Sequence, residues 1–174
     1  MQEITSMLAS KFKVKDIDFD NSQWHLAIPS SSGWYFIETN TPIEVLVNLS
    51  SPPSKYTNND GDQKKCRNYN ISSRAGSLLS CVGSDGVIGG QSFRVVYSGM
   101  AKNLLNRARE HTFAHLGTAG LALANYQEIK DYDWKFHYLI NTIVPASKAH
   151  RNVILKLGEQ IWRASNGWPI LCAG

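Results

Sequence analysis

The stretch FRVVYSGMAKNLLNRAREH, Phe93 to His111, decides the fold. Phe93 to Tyr97 is β-branched and aromatic, which predicts a strand, and Ser98-Gly99 closes it. From Lys102 to Phe113 the period changes, and Leu104, Leu105 and Ala108 fall where a helix would bury them. Arg107 and His111 are i, i+4 on that helix and therefore adjacent, with Asn103 one turn earlier on the same side. A strand, a glycine turn and a helix with a paired arginine and histidine make one unit of fold and chemistry.

Working outward, Ser30-Ser31-Ser32-Gly33 is a turn signal that opens Trp34-Tyr35-Phe36-Ile37, a second strand. Trp134, Phe136 and Tyr138 alternate with Lys135 and His137, a third. These predict a three-stranded sheet from about residues 34–38, 93–98 and 133–139. Helices are expected at 3–12 (Ile4, Met7, Leu8 and Phe12 inward) and from Pro42 to Leu49 with Thr41 as cap. Others are expected at 72–82 (Leu78 and Leu79 inward), at 118–129 on small residues, and after Pro145 to about Ala164. The last carries Val153, Ile154, Leu157 and Ile161 as its apolar stripe and Glu159 as a single acid within it. Val14, Ile17, Phe19 and Trp24 lie in a polar stretch expected to pack across the domain. Few strands, unequal helices and no βαβ rhythm give an α+β class, a small sheet flanked by helices.

Length and composition set the bounds. The 174 residues suit a single domain, with an N-terminal helical extension over about 1–29 and a loop-rich insertion over about 50–92. With 43% hydrophobic and 18% charged residues, the chain is no disordered polyelectrolyte. It has neither an apolar run of membrane-span length nor the layout of a secretory leader, so a soluble cytoplasmic protein with no membrane partner is expected. The net charge of +4 suits a polyanionic partner without specifying one. Cys66, Cys81 and Cys172 have no zinc spacing and read as reduced thiols. His25, His115, His137 and His150 are scattered and read as core or surface residues. Trp162 and Trp168 are expected to pack the C-terminal segment onto the sheet. No phosphate loop, HExxH or GxSxG motif is present.

Gly33-Trp34-Tyr35, then Tyr97-Ser98-Gly99, then Ala101-Lys102-Asn103-Leu104-Leu105-Asn106-Arg107 and His111 resemble the ordered signature of the GIY-YIG endonucleases. Glu159, followed by Trp162-Arg163 and Gly167-Trp168-Pro169-Ile170-Leu171-Cys172, is similar to that family's last motif. The likeness runs from Gly33 to the C-terminus. It implies metal-dependent endonuclease activity on DNA phosphodiester bonds, with Mg²⁺ or Mn²⁺ held by Glu159. It also implies Arg107 stabilising phosphoryl charge, His111 assisting, Tyr97 as general base and Tyr35 positioning, the two tyrosine roles being exchangeable. Trp34 and Ser98 replace the isoleucines of the family name. Met100 stands where many relatives carry a lysine, so that charge is either absent or supplied by Lys102. Cys172 occupies an asparagine position, and the long separation of Tyr35 from Tyr97 marks residues 50–92 as an insertion.

The residue chemistry is coherent on its own terms. Phosphodiester cleavage needs an activated water and charge stabilisation at the phosphoryl oxygens. One carboxylate completed by water and phosphate suits magnesium, and an arginine fork matches phosphate oxygens. Lys102 and Asn103, with Lys64, Lys65, Arg67 and Arg74 of the insertion, are candidate nucleic-acid contacts; the insertion cations read equally as a solvated coil. One such site cuts one strand, so double-strand cleavage calls for a homodimer or two successive events. The rival reading is a non-catalytic nucleic-acid-binding module on the same scaffold, and a third is a plain interaction domain.

Overall fold

The computed structural model describes residues 2–82, 92–113 and 117–172. Their order is α1 (Gln2–Leu8), β1 (Lys13–Asp16), β2 (Gly33–Thr39), α2 (Ile43–Val47), β3 (Lys55–Thr57), β4 (Gln63–Lys65) and α3 (Ile71–Val82). Then follow β5 (Arg94–Ala101), α4 (Leu104–Phe113), β6 (Trp134–Ile140) and α5 (Lys148–Asn166). The class is α+β. The main sheet is antiparallel in the order β1-β6-β2-β5, and β3 and β4 form a separate hairpin. None of the described helices is long and apolar enough to cross a membrane.

Strand β2 lies inside the sheet with both edges paired, and each of its faces meets other elements. Tyr35 and Ile37 point to one face, over which Leu46 of α2, Ile71 and Ala75 of α3, and Leu104 and Ala108 of α4 close the larger core. Trp34 points to the other, where Ile4 of α1 and Ile154 and Leu155 of α5 form a second. The indole N–H of Trp34 donates to the Leu155 carbonyl at 2.9 Å. Gly158 lets α5 lie that close, because a Cβ there would strike the Trp34 ring. Opposite β2, β5 carries a bulge: Ile37 faces Tyr97, but Glu38 faces Val95. The skipped Val96 keeps its carbonyl for the Leu171 N–H at 2.8 Å, which ties the C-terminal segment to the sheet.

Several expectations need correction. The sheet has four strands, not three. Lys13–Asp16 has no apolar alternation because all four residues are exposed; they pair with Trp134–Ile140 as a charged edge strand. Residues 118–129 form no α-helix, only 3-10 turns at Leu123–Asn125 and Gln127–Ile129. Ala122 sits in the left-handed region at φ 54°, and the backbone before it is bonded to side chains of the site rather than along a helix. Thr41 does not cap α2; its hydroxyl is buried against that of Thr39 at 2.7 Å. The N-terminal helix stops at Leu8. On α5 the buried set is Ile154, Leu155, Gly158, Trp162 and Arg163, while Val153 and Leu157 are exposed, so the packed face is turned from the apolar stripe. Residues 50–92 contain the β3–β4 hairpin and α3, so the insertion is structured in part; the side chains of Leu78 and Leu79 lie outside the described residues.

Candidate active site

Tyr35 and Tyr97 share a sheet face because each occupies an inward position of neighbouring strands, and their rings stack at 6.2 Å. Gly99 stands directly opposite Tyr35, where a Cβ would lie 2.6 Å from the phenol oxygen; the glycine of the Tyr97-Ser98-Gly99 run makes room for that hydroxyl. Helix α4 begins at Leu104, and the Asn103 carboxamide oxygen accepts the Asn106 N–H at 3.0 Å, which caps it. That start brings Arg107 and His111 beneath the tyrosines. Arg107 Nε donates to the Tyr35 oxygen at 2.9 Å, and His111 Nε2 lies 2.9 Å from the same oxygen.

The protonation of His111 follows from its surroundings. Burial, then the Arg107 charge, holds it well below its ordinary value, so the ring is neutral. Its Nδ1 accepts the Leu121 N–H at 3.4 Å, which leaves the proton on Nε2, directed at Tyr35. The Tyr35 oxygen thus receives two donors, one of them cationic. Burial still pushes its pKa up to about 12 despite Arg107. Tyr97 is pushed up further, first by burial and then by the neighbouring phenols of Tyr35 and Tyr69. Burial opposes the charge of Arg107, but the two tyrosines and Glu110 outweigh it and raise its pKa. Arg107 Nη1 also donates to Glu110 and to the Ala119 carbonyl, at 3.0 and 2.8 Å.

Above this cluster opens a cleft of about 510 Å³ between β5 and α5, with Tyr97 and Met100 on one side and Lys156, Glu159, Gln160 and Arg163 on the other. Tyr35 is not among its lining residues. Glu159 pairs with Arg163 at 2.5 Å. Burial raises the Glu159 pKa, while Arg163 and then Arg107 pull it down, so the carboxylate feels the guanidinium beneath the tyrosines. Arg163 is buried and anchored, donating from Nε to the Ser98 hydroxyl and from Nη2 to the Ser98 carbonyl, each at 3.0 Å. The Cys172 thiol joins them, accepting the Ser98 N–H at 3.2 Å and donating to the Ser98 carbonyl at 3.3 Å. Trp162 is buried against Phe36 as expected, whereas Trp168 remains 38% exposed beneath the Arg163 guanidinium.

Tyr35, Tyr97, Arg107 and His111 therefore form one cluster, with Glu159 across the cleft from Tyr97. Lys102, Lys64, Lys65 and Arg67 are exposed and do not line the cleft; Lys64 pairs with Asp62 at 3.0 Å. Arg74 lies over the Tyr69 ring, 4.3 Å from its centroid. Sequence reasoning missed Tyr69, Arg163 and Ser98 as members of the site. Tyr69 carried no spacing signal, and Arg163 entered only as part of the run that follows Glu159. Among the described residues there is no group of three or more His, Cys, Asp or Glu side chains that could hold a metal. Compared with known proteins, the chain matches no protein-family model, no curated protein and no solved structure.

Proposed function

We propose that the chain is a GIY-YIG-type endonuclease that hydrolyses DNA phosphodiester bonds with Mg²⁺, or Mn²⁺ in its place. The observation that carries this reading is the convergence of Tyr35, Tyr97, Arg107 and His111 in one cluster, with Tyr97 and Glu159 facing the same cleft, although the ordered motifs scatter all five along the chain. Glu159 is the one acid lining that cleft among the described residues, and only its Oε1 is paired with Arg163. One carboxylate oxygen completed by waters and substrate oxygens is how magnesium is commonly held, so the donor set fits the ion. When bound there, the ion supplies Lewis-acid stabilisation of phosphoryl charge and a more acidic water.

The chain's own groups account for the rest. Tyr97, facing the cleft, accepts the proton of the attacking water. Tyr35, held by Arg107 and neutral His111, packs against the Tyr97 ring and fixes it. Arg163 places a positive charge on the cleft wall, and Arg107 adds its charge from beneath the tyrosines, where burial reduces solvent screening. Cys172, at the asparagine position of the resemblance, both accepts from and donates to Ser98, so it supplies both halves of an amide's bonding. Lys102 lies away from the cleft and does not replace a lysine at Met100.

The test is nicking of supercoiled plasmid with Mg²⁺, with EDTA, and by Arg107→Ala and Glu159→Ala. Loss of product in EDTA and in both variants is the expected result; undiminished nicking by the two variants removes the assignment. The pairing of Arg163 with Glu159 favours the binding-module reading, in which cations bind DNA and no acid is available for a metal. Salt-sensitive DNA binding with no product under any divalent ion would establish that reading instead.

A further inference from the structure

The insertion sends one side chain into the site. Tyr69 lines the same cleft as Tyr97, and the two phenol oxygens are 3.1 Å apart. Their rings meet edge to face at 5.5 Å. The Tyr69 N–H donates to the Gly120 carbonyl at 3.0 Å, beside the Ala119 carbonyl that accepts from Arg107. One short loop therefore positions both Tyr69 and Arg107. The two phenols differ in exposure: Tyr97 is 6% exposed, whereas Tyr69 is only partly buried, with the Arg74 guanidinium against its ring.

Resting on the nuclease reading, we propose that Tyr69 is the final proton acceptor of the reaction, taking a proton from Tyr97 as Tyr97 takes one from the attacking water. In the reactive form Tyr69 is the phenolate and the Tyr97 O–H donates to it. The water oxygen bonds to phosphorus as its O–H bond breaks, and that proton goes to the Tyr97 oxygen. The Tyr97 proton passes to Tyr69, the bond from phosphorus to the leaving sugar oxygen breaks, and solvent protonates that oxygen at the cleft mouth. No electrons are exchanged, and the negative charge never rests on the more deeply buried phenol. Burial disfavours charge on Tyr97, in keeping with this division. The charged and titratable groups around Tyr69 are Tyr97 on β5, with Tyr35 and Arg107 behind it, Arg74 on α3, and Lys156, Glu159 and Arg163 on α5 across the cleft.

The experiment uses the full chain as wild type, Tyr69→Phe, Tyr97→Phe and the double variant, with two readouts. The first is single-turnover plasmid nicking with Mg²⁺ as a function of pH; the second is ultraviolet phenolate absorbance during alkaline titration without DNA. In the first, wild-type nicking rises with pH, and Tyr69→Phe lowers it by about 10²-fold or more and removes that rise. The double variant is no slower than the slower single variant, because the two residues act as a unit. In the second, the absorbance step that Tyr69→Phe abolishes moves to higher pH in Tyr97→Phe, since the donor to the phenolate is gone. Wild-type nicking by Tyr69→Phe, or an unmoved step in Tyr97→Phe, overturns the relay while leaving the nuclease reading intact. Absence of nicking by the wild type overturns that reading and the relay with it.

Discussion

At Gly99 one hydrogen atom in place of a methyl group lets the Tyr35 hydroxyl reach Arg107 and His111. Gly99→Ala puts a Cβ 2.6 Å from that oxygen, and the fully buried ring beside it has little room to retreat. The expected cost is about 1–3 kcal/mol in denaturant unfolding, the range for overpacked cores. Tyr35→Phe in the same chain should recover part of it by deleting the oxygen. Trp34 is a second single-residue test. Its indole N–H donates to the Leu155 carbonyl, which inside α5 also accepts the helix's own bond, so Trp34→Phe deletes one buried hydrogen bond and leaves a smaller ring in the space, at about 1–3 kcal/mol in the same assay.

Among the elements, α5 separates the sequence reading from the structure most sharply. Leu155 is fully buried and Val153 is 53% exposed, although the apolar stripe placed Val153 inside and omitted Leu155. Leu155→Ala is expected to cost about 2–5 kcal/mol. Val153→Ala should stay within about 0.5 kcal/mol, and thermal melts of the pair check the helix face directly. The difference has a physical cause: α5 packs on Trp34 through Gly158 and buries Arg163, and neither a glycine nor an arginine counts toward an apolar stripe. Strands β2, β5 and β6 were legible because aromatic and β-branched residues mark them. Strand β1 was not, because an edge strand with four exposed residues carries no alternation to read. The segment at 118–129 misled because its small residues suit a helix, while Arg107, His111 and Tyr69 draw on its backbone groups instead.

For the molecule as a whole, buried histidines set the response to acid. His111 is held well below 6.5 by burial and then by Arg107, and His25 is lowered by burial and then by Arg109. His137 is lowered as well, burial outweighing its pairing with Glu38. Each therefore takes up a proton at lower pH in the fold than in the unfolded chain, so between the two values the unfolded state binds more protons and stability falls as pH falls. Glu159, raised by burial, works in the opposite direction at lower pH. The melting temperature should therefore be lower at about pH 5 than at about pH 7, and His111→Gln should flatten that dependence. The site itself was readable only in part. Tyr35, Tyr97, Arg107, His111 and Glu159 follow from motif order and helical spacing. Tyr69 enters from the insertion, and only the folded backbone around Gly120 brings it to Tyr97.

The proposed cleavage of DNA by these groups is tested most directly by the initial rate of plasmid nicking in Mg²⁺ by Glu159→Gln against wild type, with both proteins shown by thermal melting to be folded. A clear wild-type rate and a loss of about 10²-fold or more in the variant are expected, in line with removal of charge stabilisation at a reacting phosphate. Equal rates for the two folded proteins would contradict the proposal.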